Sequence, residues 1–147
     1  MSFSIRQLEA HDREQWEPLW QGYLTFYQTT LPTSVTDMTW ARLLDPAEPM
    51  IALVAERDGA LLGLAHYTFH RSTWSQSYYC YLEDLFVAAE CRAGGVGRAL
   101  IEAVESEARR VSATRLYWLT HEGNERARKL YDDVANCSGF IQYRKVL

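Results

Sequence analysis

No apolar run in this chain approaches the roughly 18–20 residues that a membrane-spanning helix requires. Its start, Met1-Ser2-Phe3-Ser4-Ile5-Arg6, lacks the charged-then-apolar order of a secretory leader, which leads us to expect a cytoplasmic protein with no membrane partner. Cysteine is scarce: Cys80, Cys91 and Cys137 are odd in number and widely spaced, which fits neither a disulfide framework nor a metal site. A basic excess is also missing. The net charge of −4 argues against a nucleic-acid partner, which selects for a positive surface. Repeats, low-complexity stretches and linkers are absent, and 147 residues make one domain, residues 1–147. Only four prolines and eight glycines interrupt the chain, and three of those glycines fall within four positions, at 94, 95 and 97.

What is present is periodic. Ser4 to Leu8 reads as a short strand. From Ala10 to Gln28, Trp16, Leu19, Trp20, Tyr23, Phe26 and Tyr27 recur at three- and four-residue steps, the signature of an amphipathic helix. Pro18 falls inside it and predicts a kink or a break. Val35 to Leu44 is a second helix, ended by Asp45-Pro46. The period then shortens: Met50–Glu56, the turn Asp58-Gly59, and Leu61–Phe69 form a hairpin, with a third strand over Tyr78–Val87. Leu100, Ile101, Val104, Ala108 and Val111 share the face of a helix over 95–111, and Leu116–Leu119 is a buried strand. Asn124 is placed to cap a last helix with Ala127, Leu130, Tyr131 and Val134 inward. Phe140 to Val146 alternates as a closing strand. The order is that of an α/β fold: a mixed central sheet of about six to seven strands flanked by about four helices. The unit 78–120 is a crossover that makes its two strands parallel neighbours.

A strand that runs into a glycine-rich turn and then a helix binds anions. The first N–H groups of the helix have no internal partner, and the helix dipole favours negative charge there. Arg92 and Arg98 flank that turn. The nucleotide P-loop would need Gly-Lys-Ser/Thr, whereas Gly97 is followed by Arg98-Ala99. The dinucleotide fingerprint would need a third glycine or alanine where Leu100 stands.

Leu85-Phe86-Val87 followed by Arg92-Ala93-Gly94-Gly95-Val96-Gly97-Arg98 resembles the cofactor signature of the GCN5-related N-acetyltransferase (GNAT) superfamily. Asn124 with Ala127, Leu130 and Tyr131 matches its second motif. Tyr81–Val87, Tyr67-Thr68-Phe69 and Trp74 resemble the spermidine/spermine (diamine) branch. Ser138–Lys145 is more similar to the yeast histone and polyamine branch. The resemblance implies acetyl-CoA as co-substrate, no metal, and direct transfer of the acetyl group to a primary amine. The acceptor would be a polyamine, an amino acid or a similar small amine; the alternatives are a lysine or N-terminal acetyltransferase and a non-catalytic acyl-CoA-binding regulator. It makes Tyr131 the acid that protonates the departing sulfur; the candidate base is Glu83, directly or through water, with Asp84, His121 and water itself as the alternatives. The backbone near Phe86-Val87 would polarise the thioester, and Asn124 would hold the pantetheine arm. Tyr23, Tyr27, Trp74, Glu83 and Asp84 are the candidate acceptor-binding residues, although the stripe Trp16, Trp20, Tyr23 and Tyr27 also reads as core. The family usually has two strands after the last helix and this sequence has residues for one, so we expect a homodimer that pairs or exchanges its C-terminal strands.

Overall fold

The structure, a computed structural model, describes residues 2–147. Strand β1 (Ser4–Gln7) leads through a short 3-10 turn into helix α1 (Arg13–Phe26), then α2 (Thr33–Leu44). Strands β2 (Met50–Arg57), β3 (Ala60–His70) and β4 (Tyr79–Val87) follow, then α3 (Val96–Arg110), β5 (Arg115–Tyr117) and α4 (Glu125–Val134). The strands lie side by side in chain order, antiparallel except for β4 and β5, which are parallel as the crossover predicts. The β2–β3 turn has Asp58 at φ 53° and Gly59 at φ 80°, the left-handed pair that a two-residue hairpin needs.

Helices α1 and α2 cover one face of this sheet and α3 and α4 the other. Beneath α3 the contact is apolar throughout: Leu53, Ala65, Leu82, Leu100, Ile101 and Val104 are all buried there. Gly63 sits where that packing is tightest, since a Cβ would stand 2.8 Å from the Phe86 carbonyl oxygen and 3.3 Å from Leu100. Beneath α1 lie Trp16, Trp20, Leu24, Val54 and Leu64, interrupted by polar groups. There the Trp20 indole donates to the Thr36 hydroxyl at 3.3 Å.

Four expectations are corrected. The helix over the aromatic stripe starts at Arg13 and runs unbroken through Pro18, because the ring forfeits one bond, to the Glu14 carbonyl, while Trp16, Leu19 and Trp20 anchor the turns on both sides. Strand β5 is three residues long, and its pairing with β4 stops at Tyr81–Tyr117, so the two strands part beyond it. The sheet has five strands rather than six or seven. Residues 136–147 form neither helix nor strand: Phe140, Ile141, Tyr143 and Val146 are 82%, 80%, 91% and 88% exposed.

Candidate active site

The parting of β4 from β5 creates the site. From Leu82 onward the β5-facing edge of β4 has no neighbouring strand. The Ala88 N–H bonds Leu62 on the β3 side at 2.8 Å, so alternation turns the N–H groups of Leu85 and Val87 to the open edge. A cavity of about 410 Å³ occupies this gap. Its walls are Leu85, Phe86 and Val87 from β4; Arg92, Gly95, Gly97 and Arg98 from the glycine turn; Asn124, Arg126, Ala127, Leu130 and Tyr131 around α4; and Phe26 and Tyr27 from α1.

The glycine turn builds the mouth of that cavity. Gly95 stands just before α3 at φ 80°, a left-handed conformation, and a Cβ there would project into open space. The Ala99 N–H is the first to bond within the helix, back to the Gly95 carbonyl at 3.1 Å, which leaves those of Val96, Gly97 and Arg98 unpartnered. Arg92 folds back, its Nε donating to the Val87 carbonyl at 3.1 Å and its guanidinium 5.4 Å from the Phe86 ring centre. Arg98 pairs with Asp133 of α4, tying the two helices at the rim. Ala93 and Gly94 lie in the turn without lining the cavity, and the Val96 side chain is buried under α3, so only its backbone faces a ligand.

Tyr131 lines the deeper part, edge-on to Trp118 at 5.5 Å. Burial pushes its phenol up to about 12, so it holds its proton at neutral pH. Asn124 lines the cavity too, but its side chain does not cap α4; Nδ2 donates to the Thr120 hydroxyl at 3.1 Å instead.

Beyond Tyr27 the walls turn polar. Rings climb α1 as a ladder, with Trp16–Trp20 at 5.9 Å, Trp20–Tyr23 at 5.5 Å and Tyr23–Tyr27 at 5.0 Å, and Tyr27 reaches His121 at 5.5 Å. The lower two rings are core and the upper two border the site. The register of β3 and β4 slips here: His66 faces Asp84 while Tyr67 faces Leu82, so Glu83 is an extra residue in a bulge. That bulge puts Leu82 and Leu85 on the α3 face and turns Asp84 toward α1. Glu83 reaches solvent, yet partial burial of its carboxyl and the charge of Asp84 raise its pKa. The Tyr23 hydroxyl donates to the Glu83 carbonyl at 3.4 Å and stands beside the Asp84 carboxylate; burial first, then that charge, raises its pKa far above the ordinary phenol range.

Tyr23, Tyr27, Glu83 and Asp84 are therefore brought together. Trp74 is not. It is 74% exposed in the β3–β4 loop, stacked by Arg115 at 5.6 Å, and makes no ring contact with Tyr23 or Tyr27 among the described residues. Sequence reasoning missed Phe26 and Arg126 as cavity walls, and it placed Leu130 in the motif helix without assigning it to the site. It also missed His66, which carries no motif; only the bulge brings it opposite Asp84.

A family model described as the acetyltransferase (GNAT) family matches residues 7–134. The D-amino-acid N-acetyltransferase of Saccharomyces cerevisiae is 35% identical over 143 residues, covering 96% of this chain and 89% of that protein. An uncharacterised N-acetyltransferase of Bacillus subtilis is 29% identical, covering 95% of each chain. Among solved structures, the aminoglycoside N-acetyltransferase AAC(6')-Iy, in complex with a bisubstrate analogue of CoA and acetylneamine, superposes with a TM-score of 0.84 at 22% identity over all of both chains. That likeness concerns the fold.

Proposed function

We propose, for a chain that belongs to the acetyltransferase (GNAT) family and is thereby an acetyl-CoA-dependent N-acetyltransferase, that its acceptor is a small primary amine. The observation that carries this is the corner of two carboxylates and tyrosine rings beside the 410 Å³ cavity, with Tyr27 lining the cavity and meeting Tyr23 of the corner at 5.0 Å. Carboxylates and ring faces both attract an ammonium group. An amino acid is the first acceptor to try, in its D form, because the yeast relative is named for that reaction.

In this reading the unpartnered N–H groups at the start of α3 hold the pyrophosphate of acetyl-CoA, which supplies a thioester as acetyl donor. The N–H groups of Leu85 and Val87 on the open edge of β4 polarise the carbonyl. Glu83, whose raised pKa suits a base, takes the amine's proton, and Tyr131 gives one to the departing thiolate. All of this requires one domain and no metal, and suits a cytoplasmic enzyme.

Acetyl-CoA at millimolar concentration is expected to raise the melting temperature, and a bulky residue in place of Gly95 to abolish that rise. A melting curve that does not respond to acetyl-CoA in the unaltered protein would refute the site. We further propose that the tail 136–147 finds its partner in a second copy. Its apolar residues stand exposed, and a groove of about 250 Å³ beside β5, walled by Ile101, Leu116, Trp118 and Val134 together with Glu105, Arg109 and Arg115, is the surface a second copy offers them. Light scattering should then give twice 17.0 kDa, and a monomer at micromolar concentration would end that proposal.

A further inference from the structure

Asp84 is a buried carboxylate without a cation. Its side chain is 9% exposed, and no lysine or arginine pairs with it among the described residues. Its protein partner is His66, whose Nδ1 lies 2.9 Å from Oδ2. The other side of that imidazole decides its state. The Trp16 indole donates to His66 Nε2 at 3.0 Å, and an indole nitrogen is a donor only, so Nε2 must be the acceptor. His66 is thereby held as the tautomer with its proton on Nδ1, a neutral ring donating to Asp84. A proton cannot pass along this chain, because its inner end is an indole N–H with no lone pair to receive one. The network orients a charge and does not relay a proton. A buried charge needs compensation from somewhere. Beside Asp84 stand Tyr23, whose hydroxyl is neutral, and Glu83, which is itself acidic.

We propose that Asp84 receives the acceptor's ammonium group, with His66 and Trp16 as the positioning residues that fix its carboxylate. The proposal rests on the reading that the acceptor is an amine, and it divides labour between adjacent carboxylates: Asp84 binds the cation and Glu83 takes its proton. The probe is n-propylamine, an ammonium ion at pH 7, with n-propanol as the neutral control, added to CoA-saturated protein carrying 15N-labelled histidine. The nitrogen spectrum is expected to show His66 protonated on Nδ1 and bare on Nε2, shifting with the amine and not with the alcohol. Asp84→Asn should abolish the shift and Glu83→Gln should keep it. A proton on Nε2, no response to the amine, or a response that survives Asp84→Asn overturns the proposal. None of these readouts depends on turnover, so an enzyme that acetylates neither D-amino acids nor other small primary amines would sink the amine reading while leaving the tautomer on record. With an active acceptor, His66→Leu should raise KM more than tenfold with kcat within threefold. His66→Asn, which keeps a donor at the Nδ1 position, should restore KM, and equal defects in both variants would reduce His66 to packing.

Discussion

Two aspartates are buried in this molecule, and they are kept in opposite ways. Asp12, 1% exposed at the start of α1, meets Arg6 of β1 through two bonds of 2.8 Å and accepts the Glu9 N–H at 2.7 Å, while Arg6 also holds Glu56 at 2.8 Å. Its charge is fully answered within the fold. Asp84, on the same side of the sheet, has only neutral partners, the His66 imidazole and the Tyr23 phenol beside it. Burial alone does not mark a functional carboxylate; the distinction lies in whether the protein supplies the counter-charge or leaves it to a visitor.

That contrast can be broken experimentally. The largest effect is expected from Glu83→Gln, which should lower turnover by roughly 10²–10⁴-fold, about 3–5 kcal/mol of barrier, with little change in acetyl-CoA binding. Glu83 must be ionised to accept a proton and its pKa is raised. The unaltered enzyme should therefore lose activity as pH falls through a value above the ordinary 4.5, and that limb should be gone from the variant's pH–rate profile. An identical profile would move the base elsewhere, with His121 next in line. Asp12→Asn comes second, costing about 3 kcal/mol in denaturant melts because it removes the buried half of the Arg6 ion pair and leaves that guanidinium with Glu56 alone. The bond from Arg6 holds the Asp12 pKa below the ordinary 3.8. Its contribution is therefore complete above that value and disappears as pH falls through the lower folded one, so the stability gap between the two proteins should narrow in acid. A gap independent of pH would mean the pair is not what anchors β1 to α1. Smallest is the change in stability for Asp84→Asn: neutral, or a gain of up to about 1 kcal/mol, since the amide oxygen can still accept from His66 while the unanswered charge is gone. A loss as large as that at Asp12 would erase the difference between the two sites.

Much of this was legible in the sequence. The Asp58-Gly59 turn, the glycine turn before α3 and the parallel β4–β5 crossover follow from local signals, left-handed residues and helical periodicity, whereas the placing of Asn124, Ala127 and Tyr131 around one cavity is implied by the family resemblance. What was hidden depends on contacts between distant residues. The Trp16–His66–Asp84 chain joins residues 50 and 18 positions apart and exists because of a single-residue bulge at Glu83. Trp74 shares its residue type with the site aromatics but sits in a loop that delivers it to Arg115. The alternating strand expected over Phe140–Val146 does not form: its apolar residues at 140, 141, 143 and 146 keep no period of two, and a strand also needs an edge to join, a requirement that lies outside the segment itself.

The three thiols turn the architecture into a chemical clock. Cys80 is fully buried on β4 with its thiol pushed up to about 12, Cys91 is half-covered in the turn beside the cavity, and Cys137 stands exposed at the root of the tail. A maleimide dye will find Cys137 first, Cys91 later and Cys80 only on unfolding. One protein can therefore be tagged at the tail, footprinted at the cofactor turn and timed as its core opens, all without introducing a residue. Slowing of the second step by acetyl-CoA would register occupancy of the turn, and quenching between dyes on two copies would register the tail's company.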